Sequence, residues 1–463
     1  MLVRSSIVWC AALCSAPLCA QSDWVRVVVG AAPSPRGEHA MVADLARGRV
    51  LLFGGRDANG TVLGDTWTWD GTNWSLRSPA HSPSPRRMMA AAWDAAHARV
   101  VIFGGDDPLG STLADTWAWD GSDWVHLAPA PQPAPPRRAQ AGLAAGPSDG
   151  SLVLFGGVDD LGTALGDTWI FDGSQWASRT PQHSPSARFG PRLAPDLVRR
   201  RSVLYGGFAV GTGAAETWEW DGNDWSLRAA ASAPGLRMRH GLAFDAARAR
   251  VVLHGGTDGV AFALGDTWEW DGLAWIPLST SASPRPVVDA ALAFDPGLDR
   301  LLRFGGFDGI TCSDACWSHG ALQPARVVAF GAGCAGSAGV PRLRVVEFGR
   351  PWLGDSFRQV ADRMPASAPM VFQAGFSRDL FGGQPLPLAL DFLGMTGCVL
   401  HASIDALTVA VASGGVSQFD MTVPTNSALI GATFFAQTLV IDPAANSAGV
   451  TASNALSFTI GRR

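Results

Sequence analysis

Two short stretches place a base next to an acid or a cation: "RGEHA", with Glu38 and His39, and "RMRHG", with Arg237, Arg239 and His240. Proton transfer on a sugar needs such a set, with histidine or glutamate as the base and arginine as a clamp on a carboxylate. Glu38, His39, Arg237 and His240 are therefore the candidate catalytic residues. A second pattern is a recurring arginine, at Arg36, Arg86, Arg137, Arg188, Arg237 and Arg285, with further arginines at Arg87 and Arg138. Because the guanidinium fork accepts two oxygens at once, six of them around one opening would bind carboxylates or sulfated sugars. The alternative is that each arginine ties its segment to its neighbour through carbonyls or a carboxylate.

Other chemistries are excluded by what the chain lacks. Its 35 basic residues are all arginine, which removes phosphate-loop NTPases, pyridoxal enzymes and Schiff-base catalysis. A formal net charge of -5 gives no general pull toward nucleic acid or anionic lipid. Asp57, Asp106, Asp107, Asp159, Asp160, Asp258 and Asp308 sit in short loops without the alternating ligands of a calcium loop, so turn formation is their expected role. No metal or cofactor is implied.

The start, "MLVRSSIVWCAALCSAPLCAQSDW", has Arg4, an apolar run and Ala20 before a polar segment, the pattern of a signal peptide over residues 1–20. No other stretch is long and apolar enough to span a membrane. Export to the envelope or beyond leaves Cys312, Cys316, Cys334 and Cys398. Four cysteines allow three pairings, of which Cys312–Cys316 and Cys334–Cys398 are expected.

The positioning elements follow from a repeat. A di-glycine after an apolar run has its first glycine at Gly54, Gly104, Gly156, Gly206, Gly255 and Gly305, as in "RVLLFGG" and "RVVIFGG". A "DTW"-type tryptophan follows each: Trp67, Trp117, Trp169, Trp218, Trp268 and Trp317. Each unit reads as four short strands with an Asp-Gly hairpin turn before the last, which is the blade of a propeller. Trp67 and Trp69 share a face and are expected to fill the core between blades. The acids opening the third strand (Asp65, Asp115, Asp167, Glu216, Asp266, Asp314) are expected to accept from turn amides. Trp74, Trp124, Trp176, Trp225 and Trp275 mark the fourth strand, which the sixth unit lacks. "SDWVRVVV" carries Trp24, so residues 23–30 are predicted to supply that strand and close the ring.

These units resemble kelch repeats: di-glycine after a hydrophobic strand, a spaced aromatic pair, and "PR..H" entering the first strand. The resemblance covers residues 21–323 and implies a six-bladed kelch-type β-propeller closed by an N-terminal strand. Tryptophan in "WDG" replaces the more usual tyrosine-centred strand. "TWDGTNW" falls one residue short of the Asp-box of sialidase propellers, and the single tyrosine, Tyr205, stands in a core slot. The same shortage of tyrosine removes kelch-type copper radical oxidases. A Glu38–His39–Arg237–His240 site would resemble the six-bladed kelch mutarotases that act on sialic acid.

From residue 324 onward the repeat stops, and alternating runs such as "LTVAVA" read as an all-β sandwich, similar to a C-terminal module on exported bacterial proteins. The sequence thus points to an exported, non-enzymatic propeller that presents its loops to a glycan or protein partner. The alternative is a sugar epimerase, mutarotase or lyase at the channel mouth.

Overall fold

A computed structural model describes residues 6–7 and 22–461, apart from 128–133, 148–149, 210–211, 231, 261–262, 281, 322–324, 347–348 and 427–428. The chain divides into two compact units, one of residues 21–320 and the other of residues 1–20 and 321–463. The signal-segment reading of residues 1–20 falls outside the described residues except at Ser6–Ile7, which run parallel to Asp420–Met421.

The first unit is built from six repeated antiparallel sheets among the described residues, five of four strands and the first with a short fifth, Arg36–Gly37. The first sheet contains Ala40–Asp44, Arg49–Asp57, Val62–Trp69 and Trp74–Arg77. Its copies repeat the order inner strand, two middle strands, outer strand. In the sixth sheet the chain supplies Ala291–Asp295, Arg300–Phe304 and Cys316–Ala321, and the outer strand is the N-terminal Ser22–Val27. Each inner strand packs against the next, and the sixth packs against the first, so the sheets form a ring.

What holds neighbouring sheets together is largely indole. Trp69 and Trp74 are buried with Leu302, Phe304 and Cys316 of the sixth sheet, and Trp119 and Trp124 with Leu51 and Phe53 of the first. A buried tryptophan removes about 150–250 Å² from water, on the order of 4–6 kcal/mol at about 25 cal/mol/Å². Direction comes from the indole N–H. Trp124 donates to Thr66 of the preceding sheet at 2.9 Å, Trp176 to Thr116 at 3.0 Å, Trp225 to Thr168 at 3.0 Å and Trp275 to Thr217 at 2.8 Å. The N-terminal Trp24 does the same with Thr267 at 2.9 Å.

The di-glycine serves the same junction. Gly54 and Gly55 have φ of 65° and 98°, and a Cβ on Gly54 would stand 2.5 Å from the Arg86 carbonyl of the next sheet. Only glycine fits there without strain or collision. Gly55 then donates its amide to that carbonyl at 2.9 Å.

The second unit is a β-sandwich. Arg342–Val345, Ser356–Asp362 and Ser417–Thr422 form one sheet, and Arg326–Phe330, Ala455–Thr459, Thr433–Ile441, Pro369–Gly375 and Ala406–Val411 the other. Both contribute to one core, with Leu343, Phe357 and Phe419 from the first and Met370, Phe372, Phe434 and Phe458 from the second. Cys334 and Cys398 are joined by a disulfide. The expected Cys312–Cys316 bridge is absent, and both are free thiols. Cys316 stands in the slot that holds threonine in the other sheets, where it is buried in one cluster with Trp74, with burial pushing its thiol pKa up to about 12. Its side chain is thereby committed to the junction between sheets. Among the described residues no helix is long and apolar enough to cross a membrane.

Candidate functional site

The arginine pattern resolves into a structural clamp. Arg36, Arg86, Arg138, Arg188 and Arg237 are each no more than 2% exposed and point into their own sheet. Arg86 shows the geometry: Nη1 donates to the Gly104 carbonyl at 3.2 Å and to Asp115 at 2.6 Å, Nη2 to Asp115 at 2.8 Å, and Nε to the Ser84 carbonyl at 3.1 Å. Arg36 binds Asp65, Arg138 binds Asp167, Arg188 binds Glu216 and Arg237 binds Asp266 in the same way. The acids therefore hold guanidinium groups, not the turn amides expected from sequence. Each also accepts the indole N–H two residues on, as Asp115 does from Trp117 at 2.7 Å. Burial works to raise these carboxyls, but the hydrogen bonds from arginine and from the indole, with the arginine charge, outweigh it and hold all five below their ordinary range.

Two assignments within the pattern change. The clamp position in the third sheet belongs to Arg138; Arg137 is a surface residue 3.2 Å from Asp160. In the sixth sheet the position is held by Val287, while the Arg285 side chain is 88% exposed. By contrast the Asp-Gly turns form as expected: Asp70 accepts from the amides of Thr72 and Asn73 at 2.9 and 2.8 Å.

Around the ring axis lies a feature the sequence does not announce. Glu38, Met88, Gln140, Gly190, Arg239 and Asp289 all have positive φ, between 55° and 67°. The amide of each donates to the carbonyl of the preceding member, and Glu38 donates to Asp289, closing a cycle of six hydrogen bonds of 2.8–3.5 Å. Side chains here differ from sheet to sheet. Glu38 is buried and bound by Arg87 at 2.9 Å, Arg239 at 3.2 Å and Arg56 at 3.4 Å. Arg239 also holds Asp289, whose carboxyl is raised by burial against that pull.

Three of the four candidate catalytic residues share one channel, and Arg237 is not part of its lining. His39 and His240 line the axial channel with Glu38, but their ring nitrogens have no hydrogen-bond partner among the described residues. Burial, helped by Arg36, lowers His39 to about 3; burial and Arg237 lower His240 well below its ordinary value. Such imidazoles stay neutral and are weak bases at neutral pH. Arg237 is engaged by Asp266. The channel holds about 100 Å³, against the roughly 300–1,000 Å³ usual for organic ligands. Tyr205 is buried, its hydroxyl donating to the Gly235 carbonyl at 2.8 Å.

On the same side as the clamps, the loops between the two middle strands are fixed by aspartates. Asp107 accepts from the Leu109 and Ser111 amides, and Asp159 from those of Leu161 and Thr163, each at 2.8–2.9 Å. Their tips expose branched apolar side chains: Leu109 91%, Leu161 89%, Val260 95% and Ile310 87%. The corresponding tip of the fourth sheet, 210–211, lies outside the described residues. Sequence reasoning passed over these tips, although "PLG", "DLG", "DGV" and "DGI" recur at the same place in the repeat.

The repeated sheets, the di-glycine junction and the indole ladder have a counterpart among known families. Residues 18–207 match the KLHDC2/KLHL20/DRC7 Kelch-repeats domain. The repeated sheets of the first unit are consistent with a kelch β-propeller. No curated protein matches the sequence. Kelch domains mediate protein interactions, and the kelch match covers the first sheets of this ring.

Proposed function

We propose that the chain is an exported, non-enzymatic interaction protein, and that a protein partner docks on the propeller face that carries the loop tips. The observation behind this reading is the set of four branched aliphatic residues, 87–95% exposed, at equivalent tips of four sheets. One exposed leucine is unremarkable on any protein surface. Four at matching positions around a ring form a contact surface held rigid by aspartate-fixed turns. The polar centre of the face, with Glu38, Arg56, Arg87 and Arg239, supplies orientation. No observation favours the carbohydrate-active alternative, given the buried histidines and the narrow channel.

The test uses the full mature chain and a variant carrying Leu109→Asp, Leu161→Asp, Val260→Asp and Ile310→Asp. Both are used for affinity capture from the native envelope and secreted fractions, with a glycan array in parallel. Equal circular dichroism and tryptophan emission would show that folding is retained. A partner that wild type captures and the variant loses supports the reading. Equal capture by both, binding to glycans alone, or turnover of a sugar would overturn it.

A further inference from the structure

The sixth sheet departs from the repeat in a way that leaves one charge unanswered. Val287 takes the place of the clamp arginine and is buried. Arg303 in turn occupies the strand position held by Leu52, Ile102, Leu154, Leu204 and Leu253, each opposite a tryptophan of the next strand; Arg303 lies opposite Trp317. Arg303 is 2% exposed. Its one hydrogen bond among the described residues is a long one, Nη2 to the Arg285 carbonyl at 3.4 Å, and its Nε has no partner. No carboxylate lies within ion-pair distance of it among the described residues, whereas each of the five clamp arginines has one. Burial lowers its pKa to about 10, so it is still a cation at neutral pH. A buried charge without a counter-ion is costly.

Arg303 borders a cavity of about 400 Å³ in which Arg26 and Arg285 also stand. The acids on its wall are Asp308 and Asp314. Asp308 is already taken up by the Ile310 and Thr311 amides and lies 3.6 Å from Arg285. Three guanidinium groups against two carboxylates leave a surplus of one positive charge. The remaining wall includes Val287, Ala315 and the Trp317 side chain, and the exposed Arg285 stands at the opening. The volume falls within the range of small-molecule sites.

We propose that this cavity binds a small organic monocarboxylate, its carboxylate paired with Arg303 and its apolar part against Val287, Ala315 and Trp317. The single surplus charge selects a monoanion, and the mixed wall selects an acid with an apolar body.

Calorimetric titration of the full mature chain with benzoate, 3-phenylpropionate, benzyl alcohol and inorganic phosphate tests this. Arg303→Leu restores the residue type the repeat carries at that position, so it is the variant best placed to fold. Arg303→Met is the second variant, keeping a long side chain at that position without its charge. Wild type is expected to bind at least one of the carboxylates with Kd of about 1 mM or tighter, and Arg303→Leu to weaken it at least about tenfold while melting no lower than wild type. Benzyl alcohol is expected not to bind. Equal binding by Arg303→Leu, preference for phosphate, or no heat from either carboxylate would overturn the proposal. If Arg303→Leu does not fold, retained carboxylate binding by Arg303→Met overturns it and loss supports it.

Discussion

If the clamp arginines are scaffold, removing the charge of one carboxylate must cost stability through its arginine. Asp115→Asn is the sharpest case, because Arg86 is fully buried and uses every guanidinium nitrogen. Breaking a buried ion pair by deleting one charge costs about 3–5 kcal/mol, since the partner is left buried and unpaired. The Asp115 side chain keeps 28% exposure, so water screens part of this and about 2–3 kcal/mol is expected. Replacing both partners, as Arg86→Met with Asp115→Asn, removes the stranded cation and should recover on the order of 1–2 kcal/mol.

Urea unfolding followed by tryptophan emission is selective for this unit: of the 19 tryptophans, all but Trp9 and Trp352 lie between Trp24 and Trp317. pH supplies an independent signature. The Asp115 carboxyl is held below its ordinary pKa, so the pair's contribution is complete above about pH 4 and is lost as pH falls through the depressed folded value. The gap between wild type and Asp115→Asn should therefore narrow below about pH 4. A coupling energy under about 0.5 kcal/mol, within the error of additivity, would refute the reasoning and return Arg86 to the pool of ligand-binding groups.

Two further outcomes are expected. His39→Phe with His240→Phe should retain the fold and flatten the acid side of the stability profile: both imidazoles are held neutral when folded, so their contribution is complete above about pH 6.5 and declines below it, at up to about 1.4 kcal/mol per pH unit for each histidine. Urea unfolding at pH 5 and pH 7 reads this, and an unchanged slope would show that the rings are not buried as described. Trp24→Ala should cost about 3–5 kcal/mol by the same assay, because Trp24 is 1% exposed, packs on His254 and His319 at ring distances of 4.7 and 4.8 Å, and bonds Thr267. Loss under about 1 kcal/mol would mean that the N-terminal strand does not close the ring.

The elements were legible where one residue type repeats for one physical reason. Tryptophan every fifty residues exposed both the outer strand and its absence from the sixth unit, and Trp24 filled the gap because the indole slot accepts little else. The clamp arginine was legible only in part. "PPRR" offers Arg137 and Arg138, and spacing decides between them: the clamp bonds the carbonyl of a glycine 18 residues on, which selects Arg138 for Gly156 and Val287 for Gly305. Counting back from the di-glycine would have found both. The Cys312–Cys316 pairing failed for a related reason, since Cys316 aligns with Thr66 and its copies and is packed, as they are, against a tryptophan of the neighbouring sheet. Arg303 was visible as the charged residue in "RLLRFGG", where the other copies are apolar.

The axial cycle left no mark because it is made by backbone. Positive φ ordinarily selects glycine, yet Glu38, Met88, Gln140, Arg239 and Asp289 adopt it beside Gly190. Each non-glycine costs about 1–2 kcal/mol in that region, and the cycle of amide hydrogen bonds, available only when the ring is closed, offsets it. The position is therefore specified by the assembled ring and not by local sequence, which frees its side chains to vary. That freedom explains why "RGEHA" and "RMRHG" looked like chemistry. Glu38 and Arg239 are the residues the ring leaves unconstrained, and they meet at the mouth as an ion pair; His39 and His240 come one step later, where the chain turns into the sheet and buries them. A sequence motif that straddles such a boundary joins a residue of the axial cycle to a residue packed inside the sheet, and the two are set by different constraints.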